Sequence, residues 1–253
     1  MAHYSHGTAQ IFHEVMGHGE PILFLPGVFE RTSDRSALLN LLAAHYLVVA
    51  ADLPGSGRSL PQPRNYSATY YQDDAEALSA LIRTLTDGPV HLVGCSDGGE
   101  VALLIAALYP ELARSVLVWG AAGAAPPSSG PLLDALDNLF DDPVPLVAGW
   151  GPHLVDRYGE QNARAMMQNF VAALRAIVAA GGDISRSMAG DIACPVLLIV
   201  GEHDPFCPKI LADDFAGAAR NATAIEVAGT GHDVHNARPD WFNQTVLDWL
   251  SKN

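Results

Sequence analysis

HLVGCSDGG at residues 91–99 runs directly into EVALLIAALY at residues 100–109, and this junction carries most of the information about the fold. The HLV segment is typical of a buried strand, and the apolar run after the glycines is typical of a buried helix. Ser96 lies between them, two residues from Gly94 and two from Gly98, in a G-x-S-x-G pattern. Glycine at these places removes side chains that would clash around a sharp turn. The pattern predicts an exposed serine on a tight strand-to-helix turn.

Short apolar runs rich in β-branched residues recur on both sides of this junction, and each predicts a buried strand. They lie at residues 22–25, 46–51, 90–93, 115–119, 196–200 and 224–227. Helical patterns alternate with them, most clearly at residues 72–86. The alternation predicts an α/β protein with a mostly parallel, twisted sheet, helices on both faces, and a ligand crevice at the carboxyl ends of the strands. The first residues, including His3 and His6, are expected to be mobile.

One interval breaks the alternation. From residue 121 to 194 no strand is evident, and helical patterns such as that of residues 163–180 dominate. Its start is rich in Pro, Gly and Ser, as a hinge would be. The interval predicts a helical cap, or lid, inserted into a core domain formed by residues 1–120 and 195–253. An ordinary helix layer with a long loop is the alternative.

Composition and charge exclude several classes of protein. The chain has 253 residues, 49% of them hydrophobic and 17% charged, which excludes a disordered or collagen-like chain. A net charge of −14 without a basic run disfavours nucleic acid and anionic membranes as partners. A long uncharged stretch, residues 116–133, contains several prolines and glycines, which do not suit a membrane helix. Three cysteines and no secretion signal predict a soluble, cytoplasmic protein, and the oligomeric state stays open.

A serine hydroxyl needs a base within reach and a third group that orients the base. Asp204 follows the apolar run PVLLIV, and His232 follows the last predicted strand. Both residues are therefore expected at the same edge of the sheet as Ser96. Glu202 is an alternative acid, and His235 is an alternative base or, with His232, half of a metal pair. No third metal ligand has suitable spacing, so neither a metal nor a cofactor is expected.

The negative oxygen of a tetrahedral intermediate needs preorganised donors, which backbone N–H groups supply. One donor is expected from Asp97, directly after the serine and at the start of a helix. The second is expected from Val28, in the loop after the strand that ends in LFLPG. Gly27 allows this backbone to approach closely.

Together, LPG, DLPGSGRS, GCSDGG, YPE, GEHDPFCP and GTGH resemble the α/β-hydrolase superfamily. LPGVF, GCSDGG and VWGAAG are most similar to the valacyclovir-hydrolase-like, or biphenyl-hydrolase-like, serine esterases. Many relatives carry His where this chain has Pro26. The resemblance implies the α/β-hydrolase fold and a serine enzyme that cleaves a small carboxylic ester through an acyl-serine, with Ser96, Asp204 and His232 as the triad.

The resemblance also implies that Asp97 holds the α-amino group of amino-acid esters, although a carboxylate there also favours the helix N-terminus electrostatically. Phe29 and Trp150 are candidates for lining the substrate pocket, and either residue can equally belong to the core. The same triad also suits a lactonase, a C–C bond hydrolase or a perhydrolase. A ligand receptor on a hydrolase scaffold is the alternative from a different class.

Overall fold

The computed structural model describes the backbone of residues 1–253 and the side chains of all residues except Pro127. The strands are β1 Ala2–His6, β2 Ala9–Gly17, β3 Pro21–Leu25, β4 Leu47–Ala51, β5 Val90–Cys95, β6 Ala113–Trp119, β7 Val196–Gly201 and β8 Ala222–Val227. The α-helices are α1 Ser36–Ala43, α2 Tyr70–Leu85, α3 Asp97–Leu108, α4 Gly130–Asp137, α5 Trp150–Tyr158, α6 Glu160–Ala179, α7 Lys209–Ala218, α8 Val234–Ala237 and α9 Pro239–Leu250.

The strands form one sheet in the order β1-β2-β4-β3-β5-β6-β7-β8. Strands β3 to β8 are parallel, and they correspond to the six predicted strands, so the predicted fold class is confirmed. Strands β1 and β2 add an antiparallel hairpin at one edge. The expectation that His3 and His6 are mobile is wrong, because both lie in β1, where His3 pairs with Phe12.

Apolar side chains cover both faces of the sheet. Helices α2, α3 and α7 bury residues in the larger apolar cluster, and α1 and α9 bury residues in the smaller one. Every residue of β5 and β7 is buried, as expected for strands covered on both faces. All residues of α3 except Leu108 are buried, which explains why its sequence is apolar all round. This packing fixes the start of α3 against the end of β5.

The 121–194 segment lies between β6 and β7 and contains α4, α5 and α6. Its two ends are joined, because the Ala125 N–H donates to the Gly182 carbonyl over 2.8 Å. Its apolar residues, among them Leu133 and Phe170, belong to the larger core cluster. The division into a core domain and a cap stays a prediction. Within the described part of the chain, no helix combines the length and apolar character needed to cross a membrane.

Candidate active site

Ser96 follows the last residue of β5 and precedes the first residue of α3. Its backbone has φ 50° and ψ −123°, a conformation that residues with a Cβ rarely adopt. The neighbouring glycines permit this turn. A Cβ on Gly94 would overlap the carbonyl of Gly98, and a Cβ on Gly98 would overlap the carbonyls of Leu25 and Pro26. The turn therefore has the shape of a nucleophile elbow.

Asp204 and His232 come together beyond the ends of β7 and β8. Nδ1 of His232 lies 2.8 Å from Oδ2 of Asp204. The other carboxylate oxygen, Oδ1, accepts the N–H groups of Phe206 at 2.9 Å and Cys207 at 3.0 Å. Because an ionised carboxylate only accepts hydrogen bonds, this arrangement places the His232 proton on Nδ1 and leaves Nε2 free to act as a base.

The alternative acid and base have other partners. Glu202 is about half exposed, and its Oε2 accepts the Gly229 N–H at 2.8 Å. His235 accepts the indole N–H of Trp119 at its Nδ1 over 3.0 Å. Burial lowers the pKa of His235 to about 4, so this ring is neutral at ordinary pH. These contacts favour Asp204 and His232 as the acid and base.

The backbone N–H groups of Val28 and Asp97 have no acceptor on another described residue. Asp97 begins α3, so its N–H lies at the positive end of the helix dipole. Val28 follows β3, which pairs with β5 so that Leu25 is the register partner of Gly94. Both N–H groups are therefore available to an oxygen bound beside Ser96.

Two cavities meet at Ser96. Cavity A, about 100 Å³, is lined by Asp97, Glu100 and apolar residues that include Leu133 and Phe170. Cavity B, about 360 Å³, is lined by residues that include Phe29, Glu30, Arg35, His153 and Arg157. The residues that line both cavities are Val28, Ser96, Trp150, Phe206 and His232. A molecule bound across this junction would therefore have one part in each cavity.

The surroundings of His232 tune its basicity. Burial acts to lower the pKa of this imidazole, but the hydrogen bond and charge of Asp204 outweigh burial and raise it above the ordinary value of about 6.5. A hydrogen bond between Ser96 and His232 is absent among the described residues. Such bonds are often long in the free enzyme and tighten when substrate binds.

Comparison with known proteins agrees with this geometry. The sequence model of the Alpha/beta hydrolase family matches residues 22–245. The chain belongs to the alpha/beta hydrolase family. It is therefore a hydrolase, and the predicted membership of this superfamily is confirmed.

Two curated relatives of this alpha/beta hydrolase match almost its whole length. Serine hydrolase BPHL from Homo sapiens is 28% identical over 95% of this chain and 83% of its own. This similarity confirms the predicted resemblance to the biphenyl-hydrolase-like proteins. The (E)-2-((N-methylformamido)methylene)succinate hydrolase from Acinetobacter baylyi is 26% identical over 96% of this chain and 94% of its own.

The crystal structure of a hydrolase from Pseudomonas aeruginosa has a TM-score of 0.78 to this alpha/beta hydrolase. The two chains are 20% identical, and the match covers 98% of this chain and 97% of the other. At this identity the likeness shows the shared fold.

Cavity A of this alpha/beta hydrolase contains two buried carboxyl groups. Asp97 accepts the hydroxyl of Tyr70 at 2.8 Å, and burial raises its pKa. Glu100 accepts the N–H groups of Ala122 at 2.9 Å and Gly123 at 2.9 Å, and burial raises its pKa to about 8. None of the described residues that line cavity A is Lys or Arg. Glu100 is not among the residues predicted for the site, although it is the one charged residue in an otherwise apolar helical run.

Two aromatic rings lie at the junction of the cavities. Trp150 of α5 stacks on Phe206 with a ring separation of 5.6 Å and an angle of 9°. Phe206 also contacts the His232 ring at 4.9 Å. Phe29 lines cavity B, but it is only 4% exposed and packs against Phe170 at 5.3 Å. Trp150 and Phe206 thus border both cavities, and the sequence signal for Phe206 was its position two residues after Asp204.

Proposed function

We propose that this alpha/beta hydrolase cleaves small carboxylic esters through an acyl intermediate on Ser96. The observation that carries the proposal is the 2.8 Å contact between His232 Nδ1 and Asp204 Oδ2, with the imidazole bordering the same two cavities as Ser96. This arrangement supplies a base that is already in the required tautomer. The free N–H groups of Val28 and Asp97 support the proposal further.

The proposed reaction has two halves. His232 takes the proton from Ser96 Oγ at Nε2 while Oγ attacks the ester carbonyl, and the Val28 and Asp97 N–H groups bind the resulting oxyanion. The intermediate then collapses, and His232 gives the proton to the departing alcohol. Water attacks the acyl-serine with His232 again as the base, which releases the carboxylic acid and restores Ser96. Asp204 orients the imidazole and stabilises its cation throughout.

The cavities support a division of the substrate between them. We assign the acyl group to cavity A, which Asp97 borders directly, and the alcohol to the larger cavity B. The 121–194 segment then acts as the cap, because Leu133, Phe170 and Trp150 belong to it and line cavity A. Three buried, free cysteines also fit the proposed location in a reducing cytoplasm.

Ester hydrolysis tests the proposal directly. Purified protein and Ser96→Ala should be compared on p-nitrophenyl acetate and butyrate, with lactones and peroxide plus acetate as parallel substrates. The wild type should release p-nitrophenol from these esters, and Ser96→Ala should release none above background. A fluorophosphonate should label Ser96. Equal rates for the two proteins would overturn the proposal. Turnover of lactones or perhydrolysis without ester turnover would redirect it to one of those reactions.

Cavity A favours an acyl group that carries an ammonium group. Asp97 and Glu100 both line this cavity, but a pKa of about 8 leaves Glu100 largely protonated near pH 7. None of the described lining residues is Lys or Arg, so Asp97 is the candidate partner for a cation. A hydrogen bond to a charged group contributes about 1.5–3 kcal/mol, which corresponds to about 10- to 160-fold in kcat/KM. We therefore propose amino-acid esters as the substrate class, with Asp97 binding the α-ammonium group.

The substrate class is tested with a matched pair of esters. The p-nitrophenyl esters of L-valine and of 3-methylbutanoic acid differ in the amino group. Asp97→Asn should lower kcat/KM for the valine ester at least tenfold and change the other less than threefold, because the backbone N–H of residue 97 is retained. An equal effect on both esters would refute the ammonium-binding role of Asp97.

A further inference from the structure

The loop that carries Val28 contains a strained residue. Residues 27–30, called here the oxyanion loop, form a turn closed by the Glu30 N–H and the Gly27 carbonyl over 3.2 Å. Phe29 occupies the third position of this turn with φ 62°. Turns with positive φ at that position normally contain Gly or Asn. A bulky residue persists in this conformation only where surrounding contacts hold it.

The contacts that hold the loop come from outside it. The Phe29 N–H donates to Ser56 Oγ at 3.1 Å. The Phe29 carbonyl accepts Nη1 of Arg157 at 2.8 Å and the hydroxyl of Tyr158 at 2.7 Å. Both donors lie at the end of α5, within the 121–194 segment.

A side-chain hydrogen bond within the oxyanion loop adds to these contacts. The Gly27 N–H donates to the Glu30 carboxylate at 2.9 Å. Of the four N–H groups in the oxyanion loop, that of Val28 is the one without an acceptor among the described residues. The hydrogen bonds thus fix the loop and leave this one donor free for a ligand.

Arg157 and Tyr158 are themselves held in place. Arg157 pairs with Asp34 at 2.7 Å, and its side chain is 7% exposed. Burial acts to raise the pKa of Asp34, but the hydrogen bonds from Arg157 and the Arg31 N–H, together with the Arg157 charge, lower it below the ordinary value and favour the ionised carboxylate. The Tyr158 hydroxyl accepts the Gly57 N–H at 2.7 Å while it donates to Phe29. Neither side chain can swing away without breaking a second contact.

We propose that Arg157 and Tyr158 are positioning residues for the oxyanion hole: they hold the Phe29 peptide in its strained turn, and the turn presents the Val28 N–H to the reacting carbonyl. The 121–194 segment then contributes to transition-state stabilisation as well as to the substrate pocket. Without the two donors, the turn relaxes toward negative φ at Phe29 and the Val28 peptide rotates with it. The inference rests on the proposed ester hydrolysis at Ser96.

Three variants test the inference: Tyr158→Phe, Arg157→Gln and the double variant. Removal of an oxyanion donor typically lowers kcat by 10²- to 10³-fold, and a displaced donor should cost less. We expect kcat for p-nitrophenyl butyrate to fall at least fivefold in Tyr158→Phe and further in the double variant, with KM within twofold. The inhibition constant of an alkyl boronic acid, which forms a tetrahedral adduct on serine, should rise by the same factor as kcat falls.

The control is Arg164→Gln, because Arg164 lies on α6 and pairs with Asp141 and Glu160 at the surface. Its kinetics should match the wild type. Unchanged kcat and inhibitor affinity in Tyr158→Phe would overturn the inference, and so would an equal loss in the control. If the double variant fails to fold, Tyr158→Phe, which lacks one oxygen atom, decides alone. A wild type that hydrolyses no ester and resists fluorophosphonate would instead refute the proposed function itself.

Discussion

Replacement of Asp204 by Asn tests whether Asp204 acts by orienting the His232 imidazole or only by packing in the loop. In the wild type, Oδ1 of Asp204 accepts two backbone N–H groups, and Oδ2 lies 2.8 Å from His232 Nδ1. The Asn side chain has one oxygen, and the N–H groups of Phe206 and Cys207 both require it. The NH₂ group of the substituted side chain therefore faces Nδ1 of His232 and donates to it. The imidazole proton then moves to Nε2, the atom that must accept the proton of Ser96.

The magnitude follows from this change of tautomer. In the serine protease triad, the same substitution lowers kcat about 10⁴-fold while the geometry is retained. At about 1.36 kcal/mol per tenfold, a loss of 10³ to 10⁴ corresponds to about 4–5 kcal/mol of transition-state stabilisation. The folded state should be little affected, because the two backbone N–H groups keep their acceptor. We therefore expect a large loss of kcat and a small change in melting temperature.

The assay is p-nitrophenyl butyrate hydrolysis at pH 8, with Ser96→Ala as the background and Glu202→Gln as the matched control. Glu202 is an acid on the same loop whose Oε2 binds the Gly229 N–H. Glu202→Gln should keep kcat within about threefold. The reasoning is refuted if Asp204→Asn retains more than a tenth of wild-type activity, or if Glu202→Gln loses as much as Asp204→Asn.

Three further measurements test the electrostatics and packing. The pKa of His232 is raised by Asp204, so kcat/KM should fall on the acid side with an apparent pKa above 6.5, which a pH–rate profile will show. The pKa of Glu100 in the folded protein is about 8, so the free energy of unfolding should decrease from pH 4.5 to 8 by up to about 1.4 kcal/mol per pH unit. Urea unfolding should show a flatter pH dependence for Glu100→Gln, and an unchanged slope would contradict this. Gly98→Ala should lower the free energy of unfolding by at least about 2 kcal/mol, because its Cβ overlaps the Leu25 carbonyl; wild-type stability would exclude that clash.

The parallel strands and the three proposed triad positions could be predicted because each depends on a short stretch of sequence. Buried strands are continuous apolar runs, and the residues that follow them lie at one edge of the sheet. Ser96 and Asp204 each follow such a run. His232 follows β8, an edge strand in which Val227 alone is buried, so the prediction that residues 224–227 form a buried strand is right about the strand and wrong about its burial. The location of all three residues at one edge of the sheet could therefore be predicted without knowledge of side-chain contacts.

The hairpin of β1 and β2 was not predicted, because neither strand is a continuous apolar run. Strand β2 buries only three consecutive residues, Ile11, Phe12 and His13, and its apolar run is interrupted by His13 and Glu14. Strand β1 has no fully buried residue. Strand β2 is stabilised by pairing with β4, and β1 is stabilised by pairing with β2. Such long-range pairing cannot be predicted from the composition of a short segment.

The only two non-glycine residues with positive φ among those described, Ser96 and Phe29, both border the proposed reaction centre, and they differ in what holds them. The strain at Ser96 is permitted by glycines within two residues, so a single sequence reveals it. The strain at Phe29 is held by Arg157 and Tyr158, which lie more than a hundred residues away along the chain. A conformation enforced by neighbours in sequence leaves a motif, whereas one enforced by distant donors leaves none. The strained serine could therefore be located from its pattern, but the support of the oxyanion loop became visible only in the folded structure.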